Sequence, residues 1–545
     1  MKACWDYIII GAGSAGAVLA NRLSANPANR VLLLDAGIPD KSPYIHFPAG
    51  IVKAASDPRL NWNYLAEPDP TRGGAREIWP AGKALGGGSS INGMIFVRGH
   101  PLDFDDWAAA GADGWDYQSV LPYFRRSEHF EGGGNEFRGD SGPQAVSHLR
   151  VDHPVTDAFV AAAEQAGHAI NEDYNAARQG GVSRMQLSQY RGLRHSTAKA
   201  YLKPADRRSN LQVMTNAFVE KILINDRRAD GVRYRHGGDI IDVRCSAEVV
   251  LCGGAIASPK ILMLSGIGRA TELDRYGIPV VMSSPQVGRN LQEHPVAPMA
   301  WHVNQSTLNT EVTPLGMLRH GLNWLFFRRG ALTTPAGHAQ VFFKTDLALD
   351  RPNIQAIFTP LCYGAAESET QAEWGLYDKP AVMMGVCLMN PAARGEVSLR
   401  SSDPDDMPVI SHELLGHPED ITALVAGCME MRRVFGQPAV APKVVDEFLP
   451  GPDTQTGDDF AAYFRENIAL GYHPCGTCRM GSDAEAVVDP SLCVRGIEGL
   501  RVADGSVMPK ITTGNSNAPV IMIAEKAADL ILNSNKKQNG ISTNV

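Results

Sequence analysis

A glycine-rich turn near the N-terminus has the residue types needed to bind a dinucleotide. Gly11, Gly13 and Gly16 follow a short apolar run and open a helix-like segment, and a second apolar run ends at Asp35. The first glycine permits a tight turn, the second lets a pyrophosphate approach the backbone, and the third lets the helix pack closely on the strand. The N–H groups at the helix start attract phosphate, and Asp35 can accept hydrogen bonds from a ribose diol. The spacing therefore predicts nucleotide binding.

A second group near the C-terminus could bind a metal. His473, Cys475 and Cys478 are all possible zinc ligands, but the neighbouring sequence offers no fourth one. The two cysteines also resemble half of a zinc deaminase signature, for which Cys428 and Glu430 could supply the other half. Glycine and proline around the cysteines are typical of a loop, so we expect two reduced thiols and no metal.

The elements that must position the turn follow from hydrophobic periodicity. Asp6–Ile10 and Val31–Leu34 read as buried strands, with a helix at 17–23 between them. Further strands are expected between 211 and 252. Helical periodicity is present at 155–167, 255–265, 315–328, 419–435 and 518–532.

The segment 315–328 carries an apolar stripe with arginines at its edge. The stripe is Leu315, Leu318, Leu322 and Leu325, and the arginines are Arg319, Arg328 and Arg329. We expect a helix that packs on the protein with a solvated basic edge. A membrane-surface helix is the alternative.

Composition limits the class of protein. The chain has 545 residues, 44% of them hydrophobic and 20% charged, with a net charge of −8. This is typical of a globular protein with more than one core, and the acidic balance argues against a nucleic-acid partner. No apolar run reaches the ~18 residues of a membrane span. The first strand starts too early to leave room for a signal peptide, and nine cysteines without an export signal read as reduced, so we expect a cytoplasmic protein.

Four further segments give the chain a family resemblance. They are 82–94, 253–268, 287–295, and the pair 473–478 and 514–519. With the N-terminal turn they resemble the FAD-dependent glucose–methanol–choline (GMC) oxidoreductases, closest to the alcohol and choline dehydrogenase branch, from about residue 6 to 532. The resemblance implies a mixed α/β fold, in which a Rossmann-like FAD-binding domain joins a substrate domain built on an antiparallel sheet flanked by helices. It places the FAD domain at 1–155, 205–300 and 490–545, and the substrate domain at 156–204 and 301–489.

The resemblance also implies a set of FAD contacts. They are Gly11, Gly13, Ser14, Ala15, Gly16, Asp35, Ala36, Trp62, Gly82, Leu85, Gly87, Gly88, Asn92, Gly93, Met94, Ile95, Val219, Gly253, Ser258, Asp504, Gly505, Pro519 and Val520. Family members usually have Glu at position 35 and Asp at position 293. Some attach FAD covalently through a histidine where this chain has Ile91, so the resemblance implies non-covalent FAD.

The implied chemistry is oxidation of a primary alcohol to an aldehyde. His473 takes the hydroxyl proton, Asn517 donates its amide N–H to the substrate oxygen, and Tyr472 lines the pocket. Asn517 could also cap the helix that follows, with Pro519 at the first helical position. His294 reads as structural.

Electrons could pass to a quinone, another carrier or O2, and the protein could be a monomer or a homodimer. The alternatives are an alcohol oxidase that makes H2O2, a choline dehydrogenase, a hydroxynitrile lyase, and a nucleotide-binding protein without turnover.

Substrate identity is open among aromatic or aliphatic alcohols and glycol or polyether ends. The segment 301–380 is expected to build much of the pocket, and it holds many aromatic residues. It also holds four glutamates that could attract a cation such as choline, namely Glu311, Glu367, Glu369 and Glu373.

Overall fold

The protein, described by a computed structural model, contains two large sheets of seven strands each. The structure describes residues 5–365 and 374–538. One sheet carries the N-terminal glycine turn, and the other is built from the middle and the late part of the chain.

The first sheet is mainly parallel. Its strands are Trp5–Ile10, Val31–Leu34, Leu211–Met214, Phe218–Asn225, Arg228–His236, Asp239–Leu251 and Leu500–Val502. The long strand Asp239–Leu251 serves two pairings: its first half is antiparallel to Arg228–His236, and its second half is parallel to Trp5–Ile10 and Leu500–Val502. Val31–Leu34 and the stretch from Tyr7 to Ile10 are apolar and buried, as expected of parallel strands in a sheet that is covered on both faces.

Two helices pack together on this sheet and begin on the same side of it. They are Ser14–Leu23 and Asn517–Gln538, and each follows a parallel strand, so both helix starts lie at the carboxyl edge of the sheet. The fully buried Glu525 joins them, since it accepts hydrogen bonds from Arg22 at 2.7 Å and from the Tyr201 hydroxyl at 2.9 Å.

The second sheet is antiparallel between all neighbours. Its strands are Gly181–Arg184, Pro295–Val303, Ala339–Phe343, Ile354–Thr359, Ala381–Leu388, Val444–Leu449 and Ala469–Leu470. Helices Pro154–Gln165, Pro418–Phe435 and Gly457–Asn467 pack on it. Trp301 stacks on Phe435 at 3.7 Å, and Phe159 stacks on Phe358 at 4.4 Å. The predicted fold class, a Rossmann-like unit with an antiparallel substrate sheet and helices, is confirmed. The exact domain boundaries stay a prediction.

Shorter elements connect the two sheets. The remaining helices are Pro43–His46, Ile51–Ser56, Gly88–Ile91, Pro101–Ala109, Tyr117–Ser127, Lys203–Ala205, Gly254–Leu264, Ala270–Arg275 and Pro314–Phe327. The remaining strands are Tyr64–Leu65, Ile78–Trp79, Glu128–Phe130, Gln144–His148, Gln186–Leu187, Gln189–Tyr190, Leu193–Arg194, Ile267–Gly268, Met282–Ser283, Tyr363–Ala365, Trp374–Leu376, Gly395–Ser398 and Val409–His412.

The helix Pro314–Phe327 does not pack as expected. His320 is its one buried residue, whereas Leu315 is 78% exposed and Phe326 is 71% exposed. The expectation that its leucines pack on the protein is therefore wrong. Within the described residues, none of the helices has both the length and the apolar character needed to cross a bilayer.

Candidate active site

The N-terminal glycine turn contains two kinds of glycine. Gly11 has φ +95°, and a Cβ there would lie 2.5 Å from the Cys252 carbonyl oxygen, so the protein itself requires glycine. Gly13 is different, because the nearest atom to a Cβ there, the Gly87 Cα, is 3.9 Å away. Gly13 also caps the helix Ser14–Leu23 without a side-chain hydrogen bond. Open space beside an uncapped helix start is the arrangement that a pyrophosphate needs.

Asp35 lies at the end of the second parallel strand. Its carboxylate accepts hydrogen bonds from the Ala12 N–H at 2.6 Å and the Gly37 N–H at 2.7 Å, and burial raises its pKa to about 6. The Ala217 N–H donates to the Asp35 carbonyl, which brings the strand of Val219 to the same place. Asp35 keeps lone pairs for a ribose diol, and Ala36 follows it directly.

The second glycine loop lies against the first. The Gly86 N–H donates to the Ala12 carbonyl at 2.8 Å, and a Cβ at Gly87 would lie 2.7 Å from the Gly13 Cα. A Cβ at Gly88 would meet nothing within 4 Å. The two loops thus touch and still leave space beside Gly13 and Gly88, which fits a flat cofactor such as FAD.

Other predicted cofactor residues in this loop have protein contacts of their own. Asn92 Oδ1 accepts from Arg194 at 2.7 Å and from the Met94 N–H at 3.1 Å. Ile95 packs in a small core cluster with Val97 and Phe342. Four more have the following neighbours: Gly82 lies under the Gly87 carbonyl, the Leu85 carbonyl accepts from Ser90, Gly93 lies against Ala336, and Trp62 lies under the Lys83 ammonium.

The Asp504 carboxylate accepts hydrogen bonds from the segments around Gly254, Ser258 and Ser506. It accepts from the Gly254 N–H at 2.8 Å, the Ser258 hydroxyl at 2.6 Å and the Ser506 N–H at 2.8 Å. The Gly253 N–H donates to the Ser258 hydroxyl at 3.0 Å. Asp504 is thus strongly engaged within the protein, beside Gly505, whose nearest side chain is Val520.

His473 lies beside an asparagine, but not the one expected. Asn515 Nδ2 is 3.0 Å from His473 Nε2. Asn517 instead accepts a hydrogen bond from the Ser14 hydroxyl at 2.7 Å, so its side chain joins the starts of the two packed helices. The C-terminal helix begins at Asn517, two residues before Pro519, in the first turn where a missing N–H costs nothing. The structure therefore brings His473 together with Asn515, and Asn517 with Ser14.

A chain of hydrogen bonds fixes which nitrogen of each histidine carries a proton. His294 Nε2 is 3.1 Å from the Met389 carbonyl, which can only accept, so His294 Nε2 donates. In the neutral ring His294 Nδ1 then accepts, and it lies 3.0 Å from His473 Nδ1, which must donate. His473 Nε2 is therefore left with a lone pair.

The amide of Asn515 is oriented from its other side. Gln355 Nε2 donates to Asn515 Oδ1 at 3.2 Å and to Gln340 Oε1 at 2.7 Å. Asn515 consequently presents its N–H groups to the lone pair of His473 Nε2. Burial lowers the pKa of His473 to about 4, so the ring is neutral at physiological pH.

Glu293 holds the backbone of both histidines. Its carboxyl oxygens accept from the His473 N–H at 2.8 and 2.9 Å, and one of them accepts from the His294 N–H at 2.8 Å. The side chain is fully buried, and burial raises its pKa to about 8. No arginine or lysine among the described residues forms an ion pair with it.

Tyr472, the residue before the candidate base, has an accessible ring. The residue has φ +64° and is 45% exposed, yet burial raises the pKa of its phenol well above the usual range. Tyr472 directly precedes His473 in the chain. Its place in the wall of a substrate pocket stays a prediction.

Sequence patterns did not predict that Asn515, His294, Glu293 and Gln355 form one hydrogen-bond network around His473. Asn515 and Asn517 are two residues apart at a helix start. Nothing in the local sequence indicates which of the two side chains points towards His473. Two of the aromatic residues in the segment 301–380, Trp301 and Phe342, belong to the hydrophobic cores and do not line a pocket. The glutamates Glu367, Glu369 and Glu373 lie outside the described residues.

Cys475 and Cys478 are buried, unbridged thiols with pKa values raised by burial. In the described part of the chain no three His, Cys, Asp or Glu side chains are grouped so that they could hold a metal ion.

Known proteins resemble this chain over nearly its whole length. Two family models described as GMC oxidoreductase match residues 5–296 and 391–524. An oxygen-dependent choline dehydrogenase of Sinorhizobium fredii is 43% identical over 541 residues, which is 97% of this chain and 95% of the relative. A protein of the same name from Brucella suis biovar 1 is 40% identical over 534 residues, with the same coverage of both chains.

Solved structures share the whole fold. Pyridoxine 4-oxidase from Mesorbium loti superimposes with a TM-score of 0.86 at 28% identity, over 97% of this chain and 99% of that chain. An Aspergillus oryzae formate oxidase variant, studied for FAD modification, gives 0.91 at 26% identity, over 98% and 100%.

Proposed function

Because the chain belongs to the GMC oxidoreductase family, we propose that it oxidises a primary alcohol to the aldehyde with non-covalently bound FAD. The observation that carries this proposal is the pair formed by His473 Nε2 and Asn515 Nδ2, which are 3.0 Å apart. One group is a neutral base and the other an N–H donor, and alcohol oxidation needs both.

A substrate hydroxyl can bind to both groups at once if it replaces the direct hydrogen bond between them. Its proton can point at the lone pair of His473 Nε2 while its oxygen accepts from Asn515 Nδ2. As the proton moves to His473, charge grows on the substrate oxygen and the Asn515 hydrogen bond strengthens, which lowers the barrier. Glu293 and His294 hold the His473 backbone and ring, so the base is already oriented before the substrate arrives.

The residues that would hold FAD surround the space beside Gly13 and Gly88. The start of the helix Ser14–Leu23 would hold the pyrophosphate, and Asp35 the adenosine ribose. The loop 86–93 would lie along the flavin. When bound there, FAD supplies the two-electron acceptor that takes the hydride from the carbinol carbon. Ile91 offers no nucleophile for covalent attachment.

We favour a neutral alcohol over a cationic one. Glu293 is the carboxyl group at the base, but its oxygens bond to backbone N–H groups and its raised pKa keeps it largely protonated at pH 7. It therefore offers little negative charge to a quaternary ammonium.

Choline is the second candidate, because the relatives named above are choline dehydrogenases. The accessible ring of Tyr472 could also bind a cation through its π face.

The test is anaerobic mixing of the purified, FAD-loaded protein with a panel of alcohols. The panel comprises benzyl and furfuryl alcohols, short and long alkanols, polyethylene glycols and choline. Bleaching of the flavin absorbance by one class identifies the substrate, and a subsequent pulse of air separates an oxidase from a dehydrogenase that uses a quinone or another carrier. His473→Ala must abolish the bleaching. FAD-loaded protein that no alcohol bleaches would contradict the proposal and favour a lyase.

A further inference from the structure

The helix Pro314–Phe327, here called the outer helix, is attached to the protein through its polar side chains. The buried His320 lies 3.0 Å from Glu311, and Trp324 Nε1 donates to the Gly192 carbonyl at 3.2 Å. The Trp324 ring also packs on Phe47 at 4.8 Å. In an ordinary surface helix the apolar side chains face the core and the polar ones face water. The outer helix largely reverses this arrangement.

The apolar side chains of the outer helix are exposed, and three of them, Leu322, Phe326 and Phe327, border an open groove against residues 151–154. Each of the following is at least 44% exposed: Leu315, Met317, Leu318, Leu322, Leu325, Phe326 and Phe327. No Asp or Glu occurs between Pro314 and Phe327. Exposed apolar residues are ordinary when scattered, but a contiguous set of this size marks an interaction surface.

Cationic and aromatic side chains lie around this apolar face. The Arg328 guanidinium lies 3.9 Å from the centre of the Trp324 ring, and Arg329 follows it. On the hairpin that contacts Trp324, Tyr190 is 49% exposed and Arg191 lies over its ring.

A second aromatic–cation pair lies close by. Tyr44, three residues before Phe47, is 42% exposed, with the Lys53 ammonium 5.3 Å from its ring centre. Two carboxylates offset part of the charge, since Glu311 pairs with Arg319 and Asp152 with Arg329. Arg191, Arg328 and Lys53 remain without an acidic ion-pair partner among the described residues, on a protein whose net charge is −8. The surface is therefore a local cationic region on an acidic molecule.

We propose that the outer helix docks this protein on an anionic lipid bilayer, lying in the interface with its leucine and phenylalanine side chains in the acyl region. The arginines and Lys53 would then meet lipid phosphates, and Tyr44 and Tyr190 would lie at headgroup level. A second copy of the chain fits less well. A twofold dimer through this face would bring two cationic regions of the same sign into one interface, which is unfavourable. The inference does not depend on the proposed substrate.

The test is flotation of the FAD-loaded protein with vesicles of phosphatidylcholine alone or with about 30% phosphatidylglycerol. The wild type should float with the anionic vesicles. The triple variant Leu318→Ser, Leu325→Ser, Phe326→Ser should bind at least about 100-fold more weakly, because each buried side chain contributes roughly tenfold. Arg328→Ser and Arg191→Ser should each lower binding to anionic vesicles about fivefold and leave binding to neutral vesicles unchanged.

The matched control is Ile240→Ser, Leu347→Ser, Val445→Ser, which removes three equally exposed apolar side chains elsewhere. It should float like the wild type. All variants should keep FAD and alcohol oxidation with a soluble acceptor, which shows that they are folded. The proposal is overturned if the wild type does not float, or if the control triple loses as much binding as the outer-helix triple. A dimer that only the outer-helix triple dissociates, without vesicle binding, overturns it in favour of self-association.

Discussion

Removing His294 tests whether this residue sets the proton position on the base. In the wild type, His473 Nδ1 donates to His294 Nδ1 at 3.0 Å, which leaves the lone pair on His473 Nε2. In His294→Ala the Nδ1–H loses its acceptor in a buried site. The ring can then hold an unpaired donor, or it can move its proton to Nε2, where it would oppose the Asn515 N–H. Either state weakens the base.

The magnitude follows from the cost of an unsatisfied buried donor. That cost is about 1–3 kcal/mol, and each 1.4 kcal/mol corresponds to roughly tenfold in rate. We therefore expect His294→Ala to lower kcat/KM roughly 10- to 100-fold, mainly through kcat. His294→Asn is the matched control, because its Oδ1 can accept the His473 Nδ1–H. It should recover activity to within about fivefold of the wild type, following the same estimate.

Two measurements separate this role from a merely structural one. Stopped-flow flavin reduction under anaerobic conditions gives the rate of the chemical step for each variant at equal FAD loading. Nitrogen NMR of ¹⁵N-histidine-labelled enzyme shows which nitrogen of His473 carries the proton. The reasoning is refuted if His294→Ala and His294→Asn reduce flavin at the same rate, or if His473 Nε2 is protonated in the neutral wild-type ring.

The remaining predictions address the base, the amide, the buried acid and the cofactor. Asn515→Ala should lower kcat roughly 100- to 1,000-fold, because the substrate oxygen loses its N–H donor. Asn517→Ala should instead lower the free energy of unfolding by about 1 kcal/mol and leave kcat nearly unchanged. Steady-state kinetics and thermal unfolding distinguish the two variants. The pKa of His473 is lowered to about 4, so kcat/KM should fall only as pH drops towards 4, and an acid limb near 6.5 in stopped-flow pH jumps would contradict this. Burial raises the folded-state pKa of Glu293 from 4.5 to about 8, so its contribution to stability is full below pH 4.5 and is lost as pH rises towards 8. Glu293→Gln should therefore gain on the order of 4 kcal/mol over the wild type between pH 5 and 9 in chemical denaturation, and a constant difference would speak against it. Because residue 91 is isoleucine, acid precipitation should release all FAD into the supernatant, and a yellow pellet would show covalent attachment.

The fold was predictable because its signals are local. The glycine turn, its flanking apolar strands and Asp35 lie within one short stretch, and each obeys rules that hold wherever a strand meets a nucleotide-binding helix. The family motifs then located His473 and the helix start at 517. Strand order and the double pairing of Asp239–Leu251 came from the structure, because pairing joins residues far apart in sequence.

The sequence by itself therefore determined the mixed α/β fold and the glycine turn, and it predicted His473 as the base, since these depend on neighbouring residues. Tertiary structure decided which asparagine meets His473, because Asn515 and Asn517 differ only in the direction that the turn before the helix gives them. It also decided that His294 holds the base, through contacts between segments about 180 residues apart. Finally, it turned the leucines of the outer helix outward: amphipathic periodicity shows that a helix has an apolar face, whereas the packing of His320 and Trp324 decides where that face points.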